Sequence, residues 1–211
     1  MSGPGPTRGA VVLAGGRSTR MGRDKATLPF GETTLLERVV RTLSGVVDEV
    51  VVVARRGQTL PTLSAPKPVR IVHDETEDLG PLGGLAPGLS ALSAPVAFAS
   101  SCDVPFLSPA VVRMLFVALG DRDVAIAQAE GRLHPLCAVY RTSTAEAMRS
   151  LVAEGKRRPV DLLARVPYVV VPESALRAAD PELRSLDNLN DEAAYRAALR
   201  RLEGGRAPTS S

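Results

Sequence analysis

The sequence predicts a single three-layer α/β/α domain, in which helices cover both faces of a twisted, mostly parallel but mixed β-sheet. Short apolar segments alternate with helical patterns along the chain, and this order favours parallel neighbours joined by crossover helices. Hydrophobic residues make up 45% of the 211 residues, which is sufficient for one large core. Aromatic residues make up only 3%, so Val, Leu and Ala must fill that core, as is typical of a sheet buried on both faces.

Each element is predicted from the local pattern. Seven short apolar segments are predicted strands: residues 10–14, 49–54, 69–73, 96–101, 124–127, 135–140 and 168–171. The segments between them have helical spacing of apolar residues and predict helices at 35–43, 82–92, 109–119, 143–153, 160–165 and 191–202. Asn190 is the predicted N-cap of the last helix, since Asp191 and Glu192 then fall in its first turn.

No change of composition marks an internal boundary, so one domain is predicted over residues 9–202. Residues 1–8 and 203–211 are predicted to be flexible ends. Cys102 and Cys137 form neither a close pair nor a zinc-spaced cluster, and the sequence shows no signal peptide or membrane span, so a cytoplasmic location without a membrane partner is expected. The net charge of +3 and the scarcity of aromatic residues argue against nucleic acid as a partner.

Residues 13–25, Leu-Ala-Gly-Gly-Arg-Ser-Thr-Arg-Met-Gly-Arg-Asp-Lys, are the most informative segment. They follow the first predicted strand and combine bare glycine backbone with cations, among them Arg20 and Lys25. Glycine allows backbone amides to approach a phosphate, and the cations neutralise its charge. Five residues separate Gly16 from Gly22, which excludes a Walker loop, and the adjacent Gly15 and Gly16 do not match a dinucleotide fingerprint. The segment therefore predicts a different kind of polyphosphate site.

Further polar residues follow the other predicted strands, at the sheet edge where ligands bind in this class of fold. Asp103 comes shortly after the fourth strand and is a predicted Mg²⁺ ligand. Asp74 follows the third strand and either contacts a guanine base or is an ordinary surface acid. The basic loop 155–159 either binds a second anionic ligand or is a solvated charged segment. His73 and His134 are predicted to be structural, and the sequence shows no Ser/His/Asp or Cys/His arrangement, so covalent or histidine-based catalysis is not predicted.

Residues 13–25 resemble the opening motif of bacterial nucleotidyltransferases. Other segments resemble the molybdenum cofactor guanylyltransferases within that superfamily: Gly80-Pro-Leu-Gly-Gly84, Cys102-Asp-Val-Pro105, His134-Pro-Leu-Cys-Ala-Val-Tyr140, the loop 155–158 and Asn188-Leu-Asn190. The resemblance covers roughly residues 9–200. It implies a fold like that of the nucleotide-diphospho-sugar transferases. One departure is the strand end Val53-Ala54-Arg55, near which the family often has an asparagine.

The resemblance implies that GMP is transferred from GTP to the molybdenum-bound molybdopterin cofactor, which gives molybdopterin guanine dinucleotide and pyrophosphate in the presence of Mg²⁺. The implied nucleotide-binding residues are Leu13, Ala14, Gly15, Gly16, Lys25, Asp74 and Asp103. Lys25, Arg20 and a Mg²⁺ ion on Asp103 are expected to stabilise the leaving pyrophosphate. The residues implied for the pterin side are Gly83, Lys156, Arg157, Arg158, Asn188 and Asn190.

The implied partners are GTP, the molybdopterin cofactor, and molybdoenzymes or cofactor-insertion proteins that receive the product. Two alternatives stay open from the sequence. A cytidylyltransferase acting on molybdopterin or on another phosphate substrate would share the fold and the opening motif. A noncatalytic nucleotide- or cofactor-binding protein would bind GTP but release no pyrophosphate.

Overall fold

The structure, a computed structural model, describes residues 7–15, 24–74 and 79–204. The strands are β1 (Arg8–Leu13), β2 (Pro29–Phe30), β3 (Thr33–Thr34), β4 (Glu49–Arg55), β5 (Val69–Asp74), β6 (Val96–Ser101), β7 (Val124–Ala129), β8 (Arg132–Arg141) and β9 (Tyr168–Val171). The α-helices are α1 (Leu35–Ser44), α2 (Gly80–Ser90), α3 (Pro109–Leu119), α4 (Ala145–Ala153), α5 (Glu173–Ala179) and α6 (Glu192–Gly204).

The main sheet has seven strands in the order β5-β4-β1-β6-β8-β7-β9. β8 runs antiparallel to its neighbours β6 and β7, whereas β1 pairs in parallel with β4 and β6, β4 with β5, and β7 with β9. The single reversal has a local cause, since Glu130 and Gly131 both adopt positive φ angles and form a tight hairpin turn between β7 and β8. The predicted mixed, mostly parallel sheet is confirmed.

Helices cover both faces of this sheet because alternate residues of each strand point in opposite directions. In β1, Ala10 and Val12 face one core cluster, which includes residues of α1, α3 and α5. Val11 and Leu13 face the other cluster, which includes residues of α2 and α4. Both clusters consist mainly of Val, Leu and Ala, and the predicted three-layer arrangement follows from them.

α2 approaches the sheet unusually closely. A Cβ atom built on Gly88 would lie 2.5 Å from Cγ1 of Val11 and 2.8 Å from Cγ2 of Val53, and one built on Gly84 would lie 3.1 Å from Cδ2 of Leu13. Real side chains do not tolerate contacts as short as the first two. The glycines of α2 therefore allow the helix backbone to rest directly on β1 and β4, close to the end of β1.

A third, smaller cluster joins the C-terminal helix to the β2–β3 hairpin. Its buried members are Leu28, Phe30, Leu35, Leu189 and Ala198. The hydroxyl of Tyr195 in α6 also donates a hydrogen bond to the carbonyl of Pro29. α6 therefore fixes both the segment that follows residue 25 and the segment around residue 189.

The structure differs from the predicted elements at several boundaries. β8 begins at Arg132 rather than at residue 135, because residues 132–134 also pair with β7. Residues 135–137 then bulge out of register, and the hydroxyl of Tyr140 donates to the carbonyl of Pro135 at 2.9 Å. α6 begins at Glu192, and its cap is Asp191, whose Oδ1 accepts a hydrogen bond from the amide of Ala194 at 2.8 Å. The prediction that Asn190 caps this helix is therefore wrong.

Three further differences concern short elements. The predicted helix at 160–165 is a 3-10 helix over Pro159–Ala164. The β2–β3 hairpin and α5 were not predicted, since two-residue strands and a seven-residue helix carry little periodicity. The predicted flexible ends lie largely outside the described residues, although β1 already includes Arg8 and α6 extends to Gly204. Within the described ranges, no helix has the length and apolarity needed to cross a membrane.

Candidate functional site

The carboxyl ends of β1, β4 and β6 meet at one edge of the sheet. Leu13 in β1 is in register with Val53 in β4 and with Ser101 in β6. Backbone hydrogen bonds continue this pairing past the strands: the amide of Ala14 donates to the carbonyl of Val53 at 2.9 Å, and the amide of Cys102 donates to the carbonyl of Leu13 at 3.1 Å. The chain leaves β1 towards β4 and returns on its other side as β6, so this edge is the switch point at which such sheets bind ligands.

Asp103 is the centre of the polar contacts at this edge. Its Oδ2 accepts a hydrogen bond from Nζ of Lys25 at 2.8 Å, and its Oδ1 accepts from Oγ of Ser101 at 2.6 Å and from Nδ2 of Asn188 at 3.0 Å. Asp103 is only 7% exposed. A carboxylate this buried requires several donors to offset its lost hydration, and here three side chains from different parts of the sequence provide them.

Lys25 reaches Asp103 from a short 3-10 helix over Lys25–Thr27. Asp24 caps this helix, since its Oδ1 accepts a hydrogen bond from the amide of Ala26 at 3.0 Å. The other carboxylate oxygen of Asp24 accepts a hydrogen bond from Nε2 of Gln58 at 2.7 Å and lies 3.4 Å from the guanidinium of Arg55. Asp24 thereby fixes the backbone from which the Lys25 side chain extends.

Arg55 occupies the strand end near which the resemblance led us to expect an asparagine. A Cβ atom built on Gly15 would lie 2.8 Å from Cγ of Arg55. A side chain at position 15 would therefore collide with the stem of this arginine, which explains the glycine there. The Arg55 guanidinium is about half exposed at the same edge of the sheet.

Asn188 and Asn190 lie in the segment before α6 and have different surroundings. Asn188 donates to Asp103, and the amide of the intervening Leu189 donates to the carbonyl of Asp103 at 2.9 Å. Because the Leu189 side chain is buried in the third cluster, this segment is anchored on both sides. Asn190 is exposed. The resemblance implies a place for Asn188 on the second-substrate side, and the structure adds that Asn188 directly contacts the acid at the centre of the candidate site.

The basic loop at 156–158 packs against the start of α2. The carbonyl of Arg157 accepts a hydrogen bond from the amide of Leu82 at 3.3 Å, and a Cβ on Gly80 would lie 2.9 Å from that carbonyl oxygen. The Arg157 guanidinium donates to the carbonyl of Lys156 at 2.9 Å, and the Arg158 guanidinium pairs with Asp161 at 3.1 Å. Within the described parts of the chain, no hydrogen bond or ion pair joins this loop to the cluster around Asp103.

The remaining predicted residues have different placements. Gly83 is buried, and a Cβ on it would lie 2.3 Å from Cβ of Leu79, so packing at the start of α2 accounts for this glycine. Asp74 ends the edge strand β5, in register with Arg55. Gly16 and Arg20 lie outside the described residues. Gln58 and Ser101 are site residues that sequence reasoning missed, because no motif contains them.

Three ionisable side chains of the described residues favour their neutral forms. Burial raises the pKa of the Cys102 thiol far above its ordinary value, and the adjacent Asp103 charge acts in the same direction. Burial also raises the pKa of Cys137 to about 12 and lowers the pKa of His134. These thiols are therefore poor nucleophiles, which agrees with the prediction that the site does not use covalent catalysis.

The oxygen ligands around Asp103 meet the requirements of a magnesium ion that a substrate brings with it. The described residues contain no group of three or more His, Cys, Asp or Glu side chains placed to hold a metal. Mg²⁺ is commonly bound through one or two carboxylates while substrate phosphates and water supply its other ligands. The single carboxylate of Asp103, beside the hydroxyl of Ser101, fits a magnesium site of this kind, in which the substrate supplies most of the ligands. The arrangement is therefore suited to binding a phosphate-bearing ligand together with its cation.

Comparisons with known proteins agree with this geometry. The family described as MobA-like NTP transferase domain matches residues 10–180. A probable molybdenum cofactor guanylyltransferase of Mycobacterium avium (strain 104) is 40% identical over 195 residues, which cover 89% of this chain and 92% of that protein. A probable molybdenum cofactor guanylyltransferase of Mycobacterium tuberculosis (strain ATCC 25618 / H37Rv) is 38% identical over 195 residues, 90% of this chain and 92% of that protein.

Solved structures share the fold. Molybdopterin-guanine dinucleotide biosynthesis protein A from Archaeoglobus fulgidus superimposes with a TM-score of 0.76 at 23% identity, covering 93% of this chain and 99% of that one. The 2-C-methyl-D-erythritol 4-phosphate cytidylyltransferase of Thermus thermophilus superimposes with a TM-score of 0.66 at 17% identity, covering 92% and 98% of the two chains. These likenesses confirm the expected nucleotide-diphospho-sugar-transferase-like fold. With the family match over most of the chain and relatives at about 40% identity, this protein belongs to the MobA-like NTP transferase family of nucleotidyltransferases.

Proposed function

We propose that this nucleotidyltransferase transfers GMP from GTP to the molybdenum-bound molybdopterin cofactor, forming molybdopterin guanine dinucleotide and releasing pyrophosphate. The proposal depends chiefly on one observation, the cluster of Lys25, Ser101 and Asn188 around Asp103 at the switch point of the sheet. An acid and a cation at this edge suit a metal-bound polyphosphate. The choice of GTP and molybdopterin is supported by the names of the mycobacterial relatives.

The nucleotide half of the proposed site lies where β1 ends. The backbone of Leu13, Ala14 and Gly15 is assigned to GTP together with Lys25, and Asp103 is assigned to Mg²⁺ and the nucleotide. Asp74 at the end of β5 is assigned a further nucleotide contact. Gly16 and Arg20, which lie outside the described residues, keep the phosphate-binding roles that the sequence predicts for them.

The pterin half of the proposed site is assigned to Gly83, the loop Lys156, Arg157 and Arg158, and the segment with Asn188 and Asn190. The contact between Asn188 and Asp103 supports a position for this segment between the two substrates, at the reacting phosphates. The packing of the basic loop against the start of α2 supports a separate position for the rest of the second substrate.

The mechanism requires positioning and charge neutralisation more than proton transfer. The attacking phosphate of the second substrate is already an anion, so no general base is needed, in agreement with the buried neutral thiols of Cys102 and Cys137. Lys25 neutralises the negative charge that builds up on the departing pyrophosphate. A magnesium ion held by Asp103 would supply further charge neutralisation. Ser101 and Asn188 orient the Asp103 carboxylate through their hydrogen bonds to Oδ1.

The test is pyrophosphate release measured with GTP, CTP, ATP and UTP, each with and without molybdenum-bound molybdopterin. We expect release with GTP only when the cofactor is present, and loss of that release when a chelator removes Mg²⁺. Release with CTP instead would identify a cytidylyltransferase. GTP binding without any pyrophosphate release would identify a noncatalytic binding protein. Either outcome would overturn the proposal.

Variants test the assigned residues. Lys25→Ala and Asp103→Ala are each expected to lower kcat by about 10²-fold or more, because the first removes a cation beside the departing pyrophosphate and the second removes the assigned ligand of the metal cation. Lys67→Ala and Asp121→Ala are matched controls, since both residues are exposed on the surface. Rates near those of the wild type in Lys25→Ala or Asp103→Ala would remove these residues from the mechanism. The cytoplasmic location and the delivery of product to molybdoenzymes or cofactor-insertion proteins stay predictions.

A further inference from the structure

The side-chain amide of Gln58 connects three backbone segments at the edge of the candidate site. Gln58 lies three residues beyond the end of β4. Its Nε2 donates to the carbonyl of Ala14 at 3.1 Å and to Oδ2 of Asp24 at 2.7 Å, while its Oε1 accepts a hydrogen bond from the amide of Arg55 at 2.9 Å. Both N–H groups and the oxygen of the amide are therefore engaged. A carboxylate of the same shape could accept but could not donate.

Of the three partners of Gln58, one is assigned to the nucleotide and a second adjoins a residue that is. Ala14 follows the end of β1, and Asp24 directly precedes Lys25. Asp24 uses its second oxygen to cap the 3-10 helix at the amide of Ala26, and this helix carries the Lys25 ammonium that meets Asp103. A continuous chain of hydrogen bonds thus runs from the loop after β4 to the cation at the centre of the site.

We propose that Gln58 is a positioning residue, which holds Lys25 and the backbone at Ala14 in a fixed relative geometry for the nucleotide. The inference rests on the proposed function for its kinetic consequence, although the hydrogen-bond chain can be tested by itself. Gln58 is partly buried and its side chain makes three hydrogen bonds, so its role is polar rather than one of core packing. Positioning matters here because a displacement of about 1 Å in a reaction of this kind can cost about 10²-fold in rate.

The isosteric variant Gln58→Glu tests this role. The glutamate keeps an acceptor for the amide of Arg55, loses both donors, and places a second carboxylate against Asp24. We expect kcat/KM for GTP to fall about 10-fold or more, with KM for molybdopterin changed by less than about twofold. Thr59→Glu is the matched control, because it adds the same charge at the neighbouring exposed residue and should leave kcat/KM within about twofold.

A second substitution should restore the hydrogen bond between residues 58 and 24 with donor and acceptor exchanged. In Gln58→Glu/Asp24→Asn, the amide of residue 24 can donate to the glutamate while its carbonyl oxygen still caps Ala26. In Asp24→Asn alone, the single side-chain oxygen cannot accept from both the amide of Ala26 and Nε2 of Gln58. We therefore expect Asp24→Asn to be impaired, as Gln58→Glu is. We expect the double variant to recover at least about threefold in kcat/KM over Gln58→Glu, which is the non-additivity that direct contact produces.

A readout without turnover separates this inference from the proposed function. The amide of Ala26 should exchange its hydrogen at least about fivefold faster in Gln58→Glu, and slow again in the double variant, because the cap on this turn is weakened and then restored. Unchanged exchange at Ala26, wild-type kcat/KM in an active Gln58→Glu, or a parallel rise of both KM values would overturn the positioning role. If the wild type releases no pyrophosphate from GTP, the proposed function fails and the exchange experiment still decides the role of Gln58.

Discussion

Replacing Lys25 by methionine removes the ammonium group that lies 2.8 Å from Oδ2 of Asp103 and keeps an apolar side chain of similar length. Replacing Asp103 by asparagine removes the charge of the partner and keeps its shape. The two single variants and the double variant form a thermodynamic cycle that isolates the free energy of this one contact. The cycle concerns the ligand-free protein and its stability, so it is independent of the identity of the substrate.

The expected coupling follows from the geometry of the pair. Two unit charges at 2.8 Å attract by about 6 kcal/mol at an effective dielectric constant of about 20. Most of this attraction is offset by lost hydration, because the Lys25 and Asp103 side chains are only 20% and 10% exposed. Asp103 also keeps its bonds from Ser101 and Asn188 when Lys25 is removed. We therefore expect a net coupling of about 2 kcal/mol, the value of a charge-assisted hydrogen bond.

The assay is urea unfolding of the four proteins at neutral pH, at low and at high salt. The coupling should persist at high salt, since ions screen a largely buried pair much less than an exposed one. Glu146→Gln is a suitable reference, because its partner Arg149 is about half exposed and the pair should contribute less than about 1 kcal/mol. A Lys25–Asp103 coupling below about 0.5 kcal/mol would contradict the reasoning, because it would show that the free protein does not hold this ion pair shielded from solvent.

Two further predictions concern stability. Gly88→Ala should lower the free energy of unfolding by about 1–3 kcal/mol, because its Cβ would lie 2.5 Å from Cγ1 of Val11. The control is Gly45→Ala, whose Cβ would lie at an ordinary distance of 3.4 Å from its nearest neighbour. Equal stabilities of the two variants in urea unfolding would contradict the close packing of α2. His134 should make stability depend on pH, since burial lowers its pKa in the folded state below the ordinary 6.5. The unfolded chain then binds more protons, so stability is complete above about pH 6.5 and decreases as the pH falls towards the folded pKa. His134→Gln should remove this part of the dependence, and an unchanged slope in that variant would contradict it.

The elements predicted best from the sequence are those with strong local signals. The strands at 96–101 and 168–171 and the helix at 109–119 were predicted with their observed boundaries. In the helix, Ser108 caps the amide of Ala110 and Pro109 takes the first position, so both start signals are local in the sequence. The β2–β3 hairpin has no such signal, because its strands depend on packing against α6.

The candidate site was predicted in part for the same reason. Lys25 and Asp103 stand in recognisable motifs, and their side chains meet in the structure. Gln58 and Ser101 have no motif, and their importance comes from hydrogen bonds to residues 34 and 2 positions away in the sequence. A single glutamine in a loop has no sequence pattern that distinguishes it from a solvated residue, so only its spatial neighbours identify it.

The linear chain was sufficient to predict the α/β class, the family and the edge of the sheet at which the candidate site lies, because periodicity, glycine spacing and motif order are properties of the sequence. Packing in three dimensions selected which polar groups contact one another. It brought Asn188 to Asp103 across 85 positions, whereas no hydrogen bond within the described residues joins Asn190 to that acid, although both stand in the same motif. The reason is that burial and hydrogen bonding depend on how distant segments pack, and the anchoring of Leu189 in the third cluster orients one asparagine towards the acid.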